Sequence, residues 1–241
     1  MSSKPARGLF VTGTDTAVGK TYVTALIARS LVAAGHRVGV YKPVASGAVA
    51  GESGLLVSDD AVAIWRAAGS PGEFERVCPQ VFAAPLAPHL AAAQEGRKID
   101  ARLLRDGIHY WLDRSDIVLV EGAGGLMSPV GDDEYVANLA EDFGFPLVVV
   151  APNVLGAINQ VLQTVIVAAT FRDGLDVAGV VLNRLPGRAE DSSVATNRRE
   201  LRTRAVPPIL ADIAPNAEQF DPAVDWWGLG RACRMTPSDE S

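Results

Sequence analysis

The stretch Gly13-Thr14-Asp15-Thr16-Ala17-Val18-Gly19-Lys20-Thr21 decides the fold, because it follows a short apolar run and opens an Ala-rich helical pattern. Glycines let the backbone approach phosphate oxygens closely, and the N–H groups at a helix start carry partial positive charge. Lys20 is expected to reach the β- and γ-phosphates of a nucleotide, and Thr21 to offer its hydroxyl to Mg²⁺. The loop has five residues between its glycines, where the general P-loop has four. We therefore predict a phosphate-binding loop with one extra residue.

Outward from this loop, short apolar runs alternate with longer helical stretches. The runs carry few charges and are rich in Val and Leu, which is typical of parallel strands buried on both faces. The predicted strands are residues 9–12, 38–41, 117–120, 147–151, 177–182 and 208–210. The predicted helices are residues 20–34, 59–68, 101–113, 158–170 and 191–203. The alternation predicts a single-domain α/β fold of the P-loop NTPase type, with a doubly wound, mainly parallel sheet.

The predicted domain covers residues 1–220, and residues 221–241 form a tail that loses periodicity. We expect part of the tail to pack through Trp226 and Trp227, and its last residues to be disordered. Residues 45–58 are rich in Gly, Ala and Ser and are predicted to form a mobile loop, whereas the Pro-rich residues 79–88 predict an ordered surface connection.

Ligands on doubly wound sheets bind at the carboxyl ends of the strands.

Composition narrows the function classes. The chain has 241 residues, 48% hydrophobic and 21% charged, which suits one globular domain. A net charge of −6 argues against a nucleic-acid or anionic-membrane partner. Cys78 and Cys233 give neither a disulfide scaffold nor a metal-type spacing, so a reducing compartment is expected. No apolar leader precedes Gly8 and no apolar stretch reaches the ~20 residues of a membrane span, so we expect a cytoplasmic protein.

Further motifs follow the predicted strands. They read Tyr41-Lys42-Pro43-Val44-Ala45-Ser46-Gly47, Phe82-Ala83-Ala84-Pro85-Leu86-Ala87-Pro88-His89 and Val120-Glu121-Gly122-Ala123-Gly124-Gly125. Together with the long loop at residues 11–21, and in this order, they resemble the dethiobiotin synthetase family. The resemblance runs from about Leu9 to about Ile213.

The resemblance implies an ATP-dependent cyclo-ligase of biotin synthesis. Its substrates would be 7,8-diaminopelargonate, carbon dioxide and ATP, joined through a carbamate and a carbamoyl-phosphate mixed anhydride. Lys42 and Lys20 would neutralise the migrating phosphoryl group, which suits a compact ammonium. Thr16 would lie near the phosphates and the carbamate, and Ser46 would contact the substrate. Asp15 is expected to shape the loop by bonding to its backbone.

The resemblance also assigns Mg²⁺ to Thr21, Asp60 and Glu121. These three oxygen ligands would leave places for phosphate oxygens and water. A carboxylate at the tip of a buried apolar strand, such as Glu121, is costly unless it is paired or bound to a metal. Asp59 and Asp60 are adjacent, and either could instead cap a helix. Beside Glu121, the sequence Gly122, Ala123 and Gly124 allows close approach to the nucleotide.

The two ends of the ligand site are also assigned by resemblance. Asn183 matches an asparagine near the nucleobase, with a turn or helix cap as the alternative. Ala214 and Pro215 match the segment that touches the base, but the chain departs from the family pattern there, so ATP is the default nucleotide. Gly156, Ala157, Ile158 and Asn159 open a helix whose free N–H groups suit a carboxylate. In the family, this helix start binds the distal carboxylate of a substrate that lies in the active site of the neighbouring subunit. The resemblance therefore implies a homodimer with shared sites.

Two alternative functions remain. One is an amide ligase of the cobyrinate type, but 241 residues leave no room for the glutaminase domain that such ligases usually carry. The other is a partition or cell-division ATPase that acts as a dimer switch. That class has a lysine early in a shorter loop, where this chain has Thr14, and often a membrane-binding tail. The tail here is acidic and not amphipathic.

Overall fold

The computed structural model describes residues 6–51, 54–186, 191–204 and 207–234. The strands are β1 (Arg7–Gly13), β2 (Val38–Tyr41), β3 (Val44–Ala45), β4 (Val49–Ala50), β5 (Leu56–Val57), β6 (Gln80–Val81), β7 (Ile117–Gly125), β8 (Leu147–Pro152), β9 (Val177–Asn183), β10 (Ile209–Ile213) and β11 (Arg231–Ala232). The helices are α1 (Lys20–Ala33), α2 (Asp59–Ala67), α3 (Pro88–Gln94), α4 (Ala101–Asp106), α5 (His109–Leu112), α6 (Val136–Phe143), α7 (Ala157–Thr170), α8 (Val194–Thr203) and α9 (Trp226–Leu229).

The main sheet has the strand order β10-β9-β8-β1-β7-β2, and every neighbouring pair along it is parallel. Central strands such as β8 are buried throughout, as their unbroken apolar sequence requires. The predicted doubly wound α/β fold is therefore confirmed, and the six predicted strands lie in this sheet. No helix in the described ranges is long and apolar enough to cross a membrane.

The strand register brings the motifs to one edge of the sheet. Val11 of β1 is paired with Glu121 of β7, and Tyr41 of β2 is paired with Val120. Lys42, the residue after β2, therefore comes next to Glu121. Because parallel strands all end on the same side, the phosphate loop after β1 joins them at this edge.

One predicted helix is interrupted. Residues 101–113 form α4 and α5, which are separated at Gly107 and Ile108. The Tyr41 hydroxyl donates to the carbonyl oxygens of Leu103 and Leu104, at 3.0 Å each. A Cβ at position 107 would lie only 2.4 Å from that hydroxyl oxygen, so glycine is needed where the buried tyrosine meets the helix. The prediction of one continuous helix was wrong because the tyrosine contact is not local in sequence.

Other elements were not predicted. α3 and α6 lie in stretches without an assigned element, and residues 45–58 are not simply a loop, because β4 and β5 pair as an antiparallel hairpin within them. The ordered connection predicted at residues 79–88 contains β6, which pairs with β3.

The tail packs in part. Trp226 is buried against Phe220, and β11 pairs antiparallel with the start of β1. The predicted disorder concerns the last residues, 235–241, which lie outside the described residues.

Candidate active site

The phosphate loop is shaped by its own aspartate. The Thr16 backbone N–H donates to Asp15 Oδ1 at 2.6 Å, which confirms that Asp15 shapes the loop. Lys20 Nζ donates to the Asp15 carbonyl oxygen at 2.9 Å. Gly19 has a φ of 88°, and a Cβ there would meet the Asn183 amide nitrogen at 2.1 Å. The glycine therefore serves both the backbone turn and the close approach of β9.

Lys42 lies between two carboxylates. Its Nζ is 2.6 Å from Glu121 Oε1 and 3.0 Å from Asp60 Oδ2. Both Lys42 and Glu121 are buried, whereas half of the Asp60 side chain is exposed. Burial alone would lower the pKa of Lys42, but the attraction of Glu121 and Asp60 outweighs it and raises the pKa above its usual value. Lys42 therefore carries a fixed positive charge at this edge of the sheet.

The same carboxylates fit a magnesium ion. Thr21 Oγ1 donates to Glu121 Oε1 at 2.8 Å, so the hydroxyl and the carboxylate are adjacent. Glu121 Oε2 is buried and has no hydrogen-bond partner among the described residues. A buried carboxylate oxygen without a partner is costly unless a ligand completes it. Hydroxyl and carboxylate oxygens are the ligands that Mg²⁺ prefers, so Thr21, Asp60 and Glu121 suit it chemically.

Asp59 and Asp60 are distinguished by their surroundings. Ser58 caps α2, because its hydroxyl accepts from the Ala61 N–H at 3.3 Å. The alternative that either aspartate caps the helix is therefore wrong. Burial would raise the pKa of Asp60, but Lys42 outweighs it and the pKa is lowered, so Asp60 is ionised.

Ser46 lies where two of the sequence motifs meet. It is half-buried and directly follows β3. The Gly47 N–H donates to the Ala84 carbonyl oxygen, and a Cβ on Gly47 would be 3.5 Å from Pro85. The motif at residues 82–89 therefore forms the wall beside Ser46.

The Gly-rich end of β7 faces the phosphate loop. Gly13 is paired with Gly125, and Thr16 lies across from Gly124, whose Cβ would come 3.7 Å from the Thr16 methyl group. Gly124 has a φ of 75°, and Ser128 Oγ accepts from the Gly125 N–H at 2.9 Å. These contacts bring Gly124, Gly125 and the exposed Thr16 to one cleft, whereas Gly122 is buried and packs against Val136 and Phe10.

Asn183 touches the phosphate loop directly. It is buried, and its amide donates to the Val18 carbonyl oxygen at 3.0 Å. Ala214 and Pro215 are exposed and follow β10, whose Ile213 is paired with Asn183. Sequence reasoning missed Tyr22, whose hydroxyl donates to the Ala217 carbonyl oxygen and so ties α1 to the segment after β10. No motif marks Tyr22, because its partner is 195 residues away.

The remaining predicted residues lie elsewhere on the sheet edge. Gly156 has a φ of 96° and precedes α7, with Asn159 exposed on its first turn. α7 follows β8, and β1 separates β8 from β7 in the sheet. The chain's own α7 start is thus on the far side of the phosphate loop from Lys42 and Glu121.

Lys20 has an unusual pKa. Burial lowers the pKa, Glu121 opposes the shift and Lys42 adds to it, so that the pKa of Lys20 is lowered to about 8. Nearby phosphate oxygens would favour the ammonium form and raise the pKa again.

We expect nucleotide binding to take up a proton. At pH 8 roughly half of the Lys20 side chains are neutral before binding, so ATP should bind with an uptake of about half a proton there and almost none at pH 6.5. Its affinity should fall as the pH rises above 8. Calorimetry in buffers of different ionisation enthalpy measures this uptake. The control is Lys20→Arg, which stays charged and should lose it; a wild-type heat independent of buffer at pH 8 would refute the assignment.

Comparison with known proteins identifies the family. A family model described as an AAA domain matches residues 7–223. An ATP-dependent dethiobiotin synthetase from Rhodopirellula baltica is 44% identical over 214 residues, 85% of this chain and 82% of that protein. The chain belongs to the dethiobiotin synthetase family. Enzymes of the same name from Serratia marcescens and Escherichia coli O157:H7 are 39% and 37% identical, over 81% and 87% of this chain and 86% and 92% of theirs. The prediction made from the motifs is confirmed.

Solved structures show the same fold at lower identity. A ParA family ATPase from Chlorobium tepidum has a TM-score of 0.51 and is 17% identical, covering 88% of this chain and 85% of its own. The cell division ATPase MinD of Pyrococcus furiosus has a TM-score of 0.50 and is 18% identical, covering 88% and 84%. Such likeness concerns the P-loop fold alone.

Proposed function

We propose that this chain is an ATP- and Mg²⁺-dependent dethiobiotin synthetase that closes the cyclic urea from 7,8-diaminopelargonate and CO2. The observation that carries the proposal is Lys42, a buried cation held beside the phosphate loop by Glu121 and Asp60. Family membership supplies the substrates, and this site offers the charges that their chemistry requires.

The proposed reaction needs three bond-forming steps. One amine adds to CO2 and loses a proton to form a carbamate. A carbamate oxygen then takes the γ-phosphoryl group of ATP and releases ADP, and the second amine displaces phosphate to close the ring. Negative charge spreads over the phosphoryl oxygens during transfer, and fixed cations stabilise it without reorganising. Lys42 and Lys20 would be these fixed cations. Thr16 and Ser46 would contact the carbamate and the amines.

Bound Mg²⁺ would supply charge neutralisation at the phosphates, held by Thr21, Asp60 and Glu121. Glu121 Oε2 is the atom that this assignment explains, because the described protein offers it no partner. Val18, Ala17 and the loop N–H groups would hold the phosphates, with Asn183, Ala214 and Pro215 toward the base.

The alternative of a partition-type switch gains no support from fold likeness at 17–18% identity. Thr14, where that class carries a lysine, has its N–H bonded to the Val150 carbonyl oxygen at 2.9 Å.

The decisive experiment is product detection: purified protein, diaminopelargonate, bicarbonate and MgATP, with mass spectrometry for dethiobiotin. ATP hydrolysis without dethiobiotin would refute the proposal and favour the switch.

We also propose a homodimer with shared active sites. Lys42, Glu121 and the phosphate loop offer nothing for the carboxylate at the far end of a long aliphatic substrate. The α7 start suits it better, because no side chain of the described residues caps this helix, although the Ala157 N–H is bonded to the Val154 carbonyl oxygen at 3.1 Å. Leu155, just before α7, and Ile166, farther along the same helix, are large apolar residues that are 83% and 61% exposed. Asn159 and Ile166 are seven positions apart and share one helix face, which suits burial against a second copy.

Asn159→Ala should raise the KM for diaminopelargonate by at least about 10-fold, because a hydrogen bond to a charged group is lost. Nucleotide binding should stay almost unchanged, since Asn159 is assigned to the substrate carboxylate and not to the phosphates. Steady-state kinetics with each substrate varied in turn measures the difference.

Mixing Lys42→Ala with Asn159→Ala gives a sharper test of shared sites. Each heterodimer should contain one site with both lesions and one with neither, so activity should partly recover when subunits exchange. Lack of recovery in demonstrated heterodimers would place both residues in one subunit's site and exclude the shared-site proposal.

A further inference from the structure

A buried polar network holds the segment that leads into α7. Asn153, just after β8, is 1% exposed, and Asn197 on α8 is 2% exposed. Asn197 Nδ2 donates to Asn153 Oδ1 at 2.8 Å and to the Val154 carbonyl oxygen at 3.0 Å. Asn153 Nδ2 in turn donates to Asp212 Oδ1 on β10 at 3.1 Å. The network joins α8, the loop after β8 and β10.

The acceptors fix which way the Asn197 amide faces. The Val154 carbonyl oxygen can only accept, so the NH2 group must point toward it. Ser193 Oγ lies 3.3 Å from the same nitrogen. A carboxylate or an alkyl group at position 197 would leave the Val154 carbonyl without this donor.

The loop is held from further points. The Leu155 N–H donates to Asp191 Oδ2 at 2.6 Å, and the Asn153 N–H donates to the Asn183 carbonyl oxygen at 2.8 Å. Arg184, the residue after Asn183, pairs with both oxygens of Asp212, at 3.1 and 2.8 Å. Residues 153–155, in the segment before α7, are therefore positioned by bonds from α8, β9 and the segment before α8.

This network stands beside an apolar cluster that contains Leu182 and Leu201. Buried amides are costly unless they are fully bonded, and apolar packing could stabilise this end of the sheet without them. What apolar packing cannot do is fix the direction of a loop to within a few tenths of an ångström, as oriented hydrogen bonds do. The segment so fixed opens the helix assigned to the substrate carboxylate.

We propose that Asn197 is a positioning residue for the carboxylate subsite at the start of α7. It acts through Asn153 and Val154, which set where the helix N–H groups point. The inference rests on the proposed function, since it assumes that this helix start receives the substrate carboxylate. Asn197 itself is 2% exposed and bonded to protein groups, so the proposed effect is indirect.

The test compares two substrates. One is 7,8-diaminopelargonate, and the other is 2,3-diaminononane, which has the same chain with a methyl group in place of the carboxylate. The ratio of their kcat/KM values measures how strongly the carboxylate is recognised. Asn197→Ala should lower this ratio at least about 10-fold through the KM for diaminopelargonate. Its kcat at saturation and its KM for ATP should change less than about 3-fold.

Matched variants separate positioning from general destabilisation. Asn138 is another buried amide, and it bonds to the Tyr135 N–H at the start of α6. Asn138→Ala should leave the substrate ratio unchanged even if it lowers the melting temperature. If Asn197→Ala does not fold, Asn197→Ser replaces it, because the shorter hydroxyl still fails to reach both acceptors and should lower the ratio.

Asn159→Ala makes the outcomes distinguishable. A fall of the ratio in both Asn159→Ala and Asn197→Ala supports the inference. A fall in Asn159→Ala alone overturns the role of Asn197 and leaves the proposed subsite intact. If the ratio is unchanged in both variants, the helix start does not bind the carboxylate. This result overturns the subsite and the inference together. Dethiobiotin formation then still tests the proposed reaction separately. An equal fall in Asn138→Ala would show that the ratio reports stability alone and would also overturn the inference.

Discussion

Lys42→Ala should lower the turnover number at least about 100-fold, the magnitude expected when a charge contact to the transition state is lost. Glu121 and Asp60 both pair with the Lys42 ammonium group, which is therefore held at the site from two sides. Lys20→Ala should show a loss of similar size, accompanied by weaker nucleotide binding. Single-turnover measurements at saturating MgATP would separate the chemical step from binding.

The structure changes what we expect for the stability of this variant. From the sequence, Lys42 faces the site and its loss should leave folding intact. In the fold, however, it is buried against Glu121, and removing one partner of a buried ion pair costs about 3–5 kcal/mol. Lys42→Ala should therefore melt at a lower temperature, and Mg²⁺ should restore part of the loss by compensating Glu121.

Two controls complete this test. Lys98→Ala removes an exposed lysine elsewhere and should alter neither property. Lys42→Met with Glu121→Gln removes both charges and should recover stability without recovering turnover. A folded Lys42→Ala protein with near-normal turnover would remove Lys42 from the mechanism.

EDTA should abolish activity, and excess Mg²⁺ should restore it. Asp60→Asn should raise the Mg²⁺ concentration for half-maximal activity at least about 10-fold, because the site loses one of two charged oxygen ligands. Glu121→Gln should have a larger effect, since Glu121 is buried and carries the oxygen without a protein partner. Activity is measured against free Mg²⁺ at fixed MgATP.

Asp59→Asn is the matched control, because Asp59 is also exposed and lies in the same first turn of α2. It should leave the Mg²⁺ requirement within about 2-fold of the wild-type value. If Asp59→Asn raised the requirement and Asp60→Asn did not, the wrong carboxylate would have been assigned.

Much of the fold and the phosphate site could be predicted because their signals are local. A buried parallel strand is apolar at every position, as in β8, and the loop before α1 carries its glycines and lysine in one continuous stretch. The rule that ligands bind at the carboxyl ends of parallel strands pointed to the right edge of the sheet, but the contact between Lys42 and Glu121 was not predicted.

The rest depended on contacts between distant segments. The break at Gly107 is caused by Tyr41, more than sixty residues earlier in the chain. The resemblance favoured Asp60 over Asp59, but the contact of Asp60 with Lys42 became visible only in the structure. Asn153 and Asn197 have no motif, because their pattern exists only when β8, α8 and β10 are assembled.

The pairing of β11 with β1 has a consequence for how the chain folds during synthesis. Arg7 and Gly8, among the first described residues, take Ala232 and Arg231 as strand partners. The Arg7 guanidinium also lies over the Trp227 ring. During synthesis, β1 thus cannot complete its hydrogen bonds until Arg231 and Ala232, more than two hundred residues later, have emerged. Closing contacts of such sequence separation are slow to form, so a nascent or C-terminally truncated chain leaves the start of its central strand open to chaperones and proteases.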